Sequence, residues 1–224
     1  MPRSLPPLQV LFEDNHLLVV NKPAGIPTMG AAAGKPSLVT LAKAYLKQKY
    51  QKPGNVYVGV VSRLDALVSG VLVLARTSKA AARLAEQFRE REPAKVYWAL
   101  VEGTPAQASG DLLHWIAKDE ARRRMTVRHK KSAGAQEARL QYQVLRKSAR
   151  GTLLEVRLET GRKHQIRLQL AEAGHPILGD RKYGSRQPFA AGIALHARAL
   201  CIEHPTLKQP LTFSAPPPPA WGKI

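Results

Sequence analysis

The sequence predicts an α+β architecture with mostly antiparallel strands, and three observations lead there. Several short segments alternate apolar and polar residues with the period of a half-buried strand. Others repeat apolar residues at helical spacing. The two kinds intermix without the regular strand–helix–strand order that builds a parallel sheet. The 224 residues suffice for one domain or a compact pair with a real core.

Each element has a local reason. Residues 1–7 are Pro-rich and read as a frayed N-terminus. The run LQVLFEDNHLLVVNKPAG (8–25) alternates around Asp14-Asn15, which predicts a hairpin closing at Pro23-Ala24-Gly25. MGAAAGKP (29–36) is a loop of small residues. Ser37 then caps a helix with Leu38, Leu41, Ala42, Tyr45 and Leu46 on one stripe, ending before Pro53-Gly54. Val56 to Val61 reads as a strand, followed by Ser62-Arg63-Leu64-Asp65 and a Ser69-Gly70 turn. Val71 to Ala75 is a short apolar strand, buried on both faces.

From Ser78 the spacing of Ala81, Leu84, Ala85 and Phe88 predicts a second helix, broken by Pro93. KVYWALVEG (95–103) is apolar on both faces and reads as a central strand. Residues 140–147 and 152–160 form a predicted hairpin through Ala149-Arg150-Gly151. Gly161 turns the chain into HQIRLQLAEAG (164–174), a third helix with Gly174 as its stop. One more strand precedes a Pro-rich tail over 215–224.

Lys and Arg number 35 against 16 Asp and Glu, a formal charge of +19. Such a charge speaks of partners rather than of fold, and the commonest polyanion is a nucleic acid. In EARRRMTVRHKK (120–131), Arg122, Arg123, Arg124, Arg128, Lys130 and Lys131 crowd a segment suited to a loop or hairpin. It reads either as an RNA contact or as a solvated face. The single Cys201 rules out a disulfide framework, reads as a small buried hydrophobe, and points to a reducing compartment. No apolar run nears the roughly 20 residues of a membrane span, and the N-terminus lacks a signal-peptide core. These features predict a soluble cytoplasmic protein.

Other chemistries lack their signatures. No GxGxxG or GxxxxGK[ST] occurs, the histidines show no HxxxH spacing, and the acids are scattered, so no metal site is predicted. Asp65 follows a strand beside Arg63, a place for a carboxylate aimed into a cleft and equally for a turn cap paired with Arg63. Tyr97, amid apolar neighbours, reads first as core. Arg162, Lys163, His164 and Arg167 crowd the start of one helix, which suits either a bound anion or a solvated surface.

Four segments in order add to this: VNKPAG (20–25), SRLDALVSG (62–70), KVYWALVEG (95–103) and GRKHQIRLQLAEAGHPILGDRKYG (161–184). Together they resemble the RluA-type RNA pseudouridine synthases, from about Leu8 to Phe213. The resemblance implies one catalytic domain over 8–214, without an S4-like RNA-binding extension. It implies a long, bent, mostly antiparallel sheet with flanking helices and a central cleft.

It also implies roles. Asp65 matches the essential aspartate of RLD, and Tyr97 the tyrosine of K-x-Y-x-A that stacks on the target base. Arg167 matches the arginine of HQIR that pairs with the aspartate, and Arg63 is suited to hold RNA. Arg122, Arg123, Arg124, Arg162, Lys163 and His164 are the further RNA-binding candidates. Two positions depart from the family pattern: Ser62 replaces the usual His, and Val68 the usual Thr.

The implied reaction breaks the N1–C1′ bond of uridine, turns the uracil and rejoins it through C5. There is no redox change or net hydrolysis, so neither metal nor organic cofactor is implied. A carboxylate can serve as nucleophile or base, and an arginine beside it favours the ionised form. The expected partner is ribosomal or transfer RNA, with no membrane or protein partner and a monomeric enzyme. The competing expectation is a non-catalytic RNA-binding or ribosome-assembly protein that keeps the fold.

Overall fold

The computed structural model describes residues 7–32, 34–190 and 192–222, so most of the expected frayed N-terminus and the last two residues lie outside the described residues. The architecture is α+β. In chain order the first elements are β1 (Gln9–Glu13), β2 (Leu17–Lys22), α1 (Leu38–Lys49), β3 (Gly59–Val60), β4 (Ser69–Ala75) and α2 (Ser78–Glu90). Then come β5 (Ala94–Val101), β6 (Ser109–Asp119), β7 (Arg124–Arg128), β8 (Gln136–Ser148) and β9 (Gly151–Leu158). The last are α3 (Gln165–Glu172), β10 (Leu195–Glu203) and β11 (Pro210–Ser214).

The chain divides into two compact units. The first joins residues up to Ala94 with Ala197–Pro218. Its β1–β2 hairpin turns where the Asp14 carboxylate accepts the N–H groups of His16 and Leu17, each at 2.7 Å. Strand β2 pairs antiparallel with β4, and β10 with β11. Leu17, Val19, Val71 and Val73 pack with Leu200, Ile202 and Phe213, and Ala80 and Leu84 of α2 join that core. Helix α1 begins at a capping box, with Ser37 accepting the Thr40 N–H at 3.2 Å while the Thr40 hydroxyl accepts the Ser37 N–H.

Three expectations shift in this unit. The strand expected over Val56–Val61 shrinks to Gly59–Val60. Cys201 on β10 is half-buried rather than buried. Ser69-Gly70 is not a turn but the opening of β4. The glycine is needed for close approach: at φ +120°, a Cβ there would lie 2.3 Å from the Ala197 carbonyl oxygen.

The second unit joins Lys95–His196 with the residues from Pro219 onward. Its strands run β5–β9–β8–β6–β7, all antiparallel. Helix α3 packs on one face, where Leu168 meets Ile116, Ala138 and Tyr183. Tyr97 lies opposite Val156, Val156 opposite Tyr142, and Tyr142 opposite Gly110, four residues before His114. Since His114 bonds Gln169 of α3 at 3.2 Å, register places Tyr97 on the face that α3 covers. Within the Pro-rich stretch, Pro219–Trp221 forms a 3₁₀ turn and Trp221 is buried, edge-on to Phe189 and His196.

Candidate functional site

In the first unit, Asp65 sits half-buried on the loop between β3 and β4. Both of its chain neighbours are held by the loop that follows β2. Ahead of it, the Thr28 hydroxyl donates to the Leu64 carbonyl at 2.9 Å and accepts the Leu64 N–H at 3.2 Å. Behind it, the Ala66 carbonyl accepts the Gly25 N–H at 2.7 Å and the Lys22 ammonium at 3.3 Å. A tight turn follows, with Val68 N–H on the Asp65 carbonyl at 3.1 Å. Val68, which replaces the usual threonine, is buried; Ser62 is half-buried and Arg63 exposed.

Lys22 ends β2 with no solvent exposure. Its ammonium donates to the carbonyls of Pro23 at 2.9 Å, Ile26 at 2.8 Å and Ala66 at 3.3 Å, so its three N–H groups meet three acceptors. Burial pulls the ammonium down to about 7, and the Asp65 carboxylate works in the opposite direction. Asp65 thus has a buried lysine in its own unit that carries a positive charge below about pH 7.

In the second unit, Arg167 is buried within α3. Its Nε and Nη2 donate to the two carboxylate oxygens of Asp180 at 2.7 and 2.8 Å. Its guanidinium lies 5.1 Å from the centre of the Tyr183 ring. The Tyr183 hydroxyl accepts the Met125 N–H at 3.1 Å and bonds His164 Nδ1 at 2.8 Å. The charge crowded at the start of this helix therefore already has one internal anion, Asp180. The structure brings Arg167 and His164 together through Tyr183. Arg162 turns its Nε to the Glu137 carbonyl at 3.1 Å, while Lys163 is exposed. Tyr97 is half-buried.

The basic segment forms the β6–β7 hairpin, so the hairpin option is the one found. Asp119 accepts the Arg122 N–H at 3.0 Å and shapes its turn. That bond, opposed by slight burial and helped by the nearby arginines, holds the Asp119 carboxyl below its usual range. Arg122, Arg123, Arg128, Lys130 and Lys131 are exposed, and Arg124 is half-buried. Lys182 ties the turn to the residue before Tyr183 by donating to the Arg123 carbonyl at 2.6 Å.

Sequence reasoning assigned no role to Asp180, Tyr183, Lys22 or Thr28. Asp180 and Tyr183 lie in GDRKYG and Lys22 in NKPAG, and those motifs are their signal. Thr28 had none. Among the described residues, no three His, Cys, Asp or Glu side chains cluster as metal ligands, and no helix is long and apolar enough to cross a membrane.

A family model described as RNA pseudouridylate synthase matches residues 16–172. The chain belongs to the RNA pseudouridylate synthase family. This pseudouridine synthase is 37% identical over 221 residues to the dual-specificity RNA pseudouridine synthase RluA of Escherichia coli K12, covering 96% of this chain and 95% of the relative. It is 37% identical to the uncharacterized RNA pseudouridine synthase YhcT of Bacillus subtilis, covering 94% of this chain and 69% of that one. Among solved structures, human RNA pseudouridylate synthase domain containing 4 matches with a TM-score of 0.78 at 28% identity, covering 94% of this chain and 88% of that one. The synthase is thus an isomerase of RNA uridine.

Proposed function

We propose that this synthase isomerises specific uridines of ribosomal or transfer RNA, with Asp65 as its catalytic carboxylate. The observation that carries the reading is the setting of Asp65: both chain neighbours are fixed, a buried ammonium lies nearby, and Arg63 is exposed beside it. Relatives lend support for the substrate class. One is named a dual-specificity RNA pseudouridine synthase, another ribosomal large subunit pseudouridine synthase D.

Asp65 acts on the ribose or the uracil while the glycosidic bond is open. Tyr97 provides a platform on which the detached base turns. Arg167 favours the ionised carboxylate, and its own orientation is set by Asp180 and Tyr183. Everting the nucleotide costs a few kcal/mol, offset by stacking and by phosphate contacts. Those contacts fall to Arg63, to Arg122, Arg123 and Arg124 of the hairpin, and to Arg162, Lys163 and His164. The enzyme works as a monomer in the cytoplasm.

The test is tritium release from 5-³H-uridine in unmodified ribosomal and transfer RNA. Wild type is expected to release tritium and Asp65→Ala to release none while still binding RNA. Equal release by both proteins would remove Asp65 from the chemistry.

A further inference from the structure

The proposed reaction needs the Asp65 carboxylate at one place relative to the ribose, yet Asp65 stands on a loop. Thr28 is the residue that fixes the backbone just ahead of it. The Thr28 hydroxyl is buried and uses both of its capacities on a single residue, donating to the Leu64 carbonyl and accepting the Leu64 N–H. Leu64 is itself buried, so water does not replace these bonds when they are lost. Thr28 is anchored in turn: its carbonyl accepts the Val39 N–H at 3.1 Å, and the preceding Pro27 carbonyl accepts the Leu38 N–H at 2.9 Å. These are the first two N–H groups of α1, so the rigid start of a capped helix reaches the catalytic loop through one side chain.

We infer that Thr28 is a positioning residue for Asp65, its hydroxyl fixing the Leu64 peptide so that the carboxylate stays at its working position. The inference rests on the reading of Asp65 as the catalytic carboxylate. A hydroxyl is required because one oxygen must both give and take a hydrogen bond, which Ser can do and Val cannot. The methyl group of Thr28 plays no part in this.

The experiment compares full-length wild type, Asp65→Asn, Thr28→Val, Thr28→Ala and Thr28→Ser by tritium release, with RNA binding and thermal unfolding measured in parallel. Thr28→Val is expected to lower kcat by about 10- to 100-fold, the effect of a displacement on the order of 1 Å, with KM and RNA affinity within about twofold of wild type. Thr28→Ser is expected to keep kcat within about threefold of wild type, because it restores both bonds. Thr28→Ala, smaller and free of overpacking, repeats the test if the valine variant unfolds at assay temperature. A folded Thr28→Val or Thr28→Ala enzyme with wild-type kcat overturns the inference, and so does a serine variant as slow as the valine one. Equal release by wild type and Asp65→Asn overturns the reading of Asp65, and the role of Thr28 with it.

Discussion

Arg167 and Asp180 meet through two parallel N–H···O bonds of 2.7 and 2.8 Å, with only 4% and 1% of their side chains exposed. A guanidinium held this way cannot rotate without giving up a bidentate bond in a dry setting. The pair fixes the plane of Arg167, and the Tyr183 ring covers it. Asp180 is thus the anchor that orients Arg167.

Asp180 supplies both acceptors of that bidentate bond to a buried guanidinium. Asp180→Ala is expected to lower stability by about 3–5 kcal/mol, read from the urea unfolding midpoint. The double variant Arg167→Met with Asp180→Leu should lose much less, since both members of the bidentate pair are replaced by apolar groups together, yet should release no tritium. A double variant as unstable as Asp180→Ala would show that packing, not charge pairing, decides this site.

Gly70 tests the close approach of β4 to the Ala197 backbone. Alanine there would combine a strained φ of +120° with a 2.3 Å contact to a carbonyl. Gly70→Ala is expected to cost about 1–3 kcal/mol or more, measured by chemical unfolding. Unchanged stability would mean that the strands part at no cost.

Lys22 gives stability a pH dependence of known sign. Its folded pKa is about 7, against the ordinary 10.5. Below pH 7 both folded and unfolded chains hold the proton, and the burial penalty is constant. Between 7 and 10.5 only the unfolded chain holds it, so stability rises with pH, by up to about 1.4 kcal/mol per unit. Urea unfolding at pH 6, 8 and 9.5 should show wild type gaining on Lys22→Met as pH increases. A constant gap between the two proteins would refute the shift.

Exposed Arg122 and Arg123 stand on the hairpin turn. Replacing both with alanine should weaken RNA binding whatever the sequence, and should reduce the slope of log K against log salt by about 0.7–0.9 per lost phosphate contact. An unaltered slope would place the turn away from phosphate.

What could be read from the sequence was what short range decides. The Asp14 turn, the Ser37 cap and the Gly174 stop each act within a few residues, and each appears where the local chemistry placed it. Ser69-Gly70 misled because glycine serves tight turns and close strand approach alike, and only the partner strand tells which. Arg167 and Asp180 are 13 residues apart, and Thr28 and Leu64 are 36 apart. No periodicity links such pairs, since the fold alone brings them together. Motif resemblance gave Asp65, Tyr97 and Arg167 their expected roles, but it held no account of what keeps them in place.

Each compact unit borrows a late stretch of chain: Ala197–Pro218 completes the first, and Pro219–Trp221 belongs to the second. Leu200, Ile202 and Phe213 fill the interior opposite Leu17 and Val73, so a nascent chain that has emerged only to Ala94 exposes an unfinished apolar surface. Such a chain must wait for more than a hundred further residues to leave the ribosome, roughly 5–20 s at ordinary elongation rates. During that interval the early strands are candidates for chaperone binding, and a fragment cut after Ala94 should aggregate rather than fold.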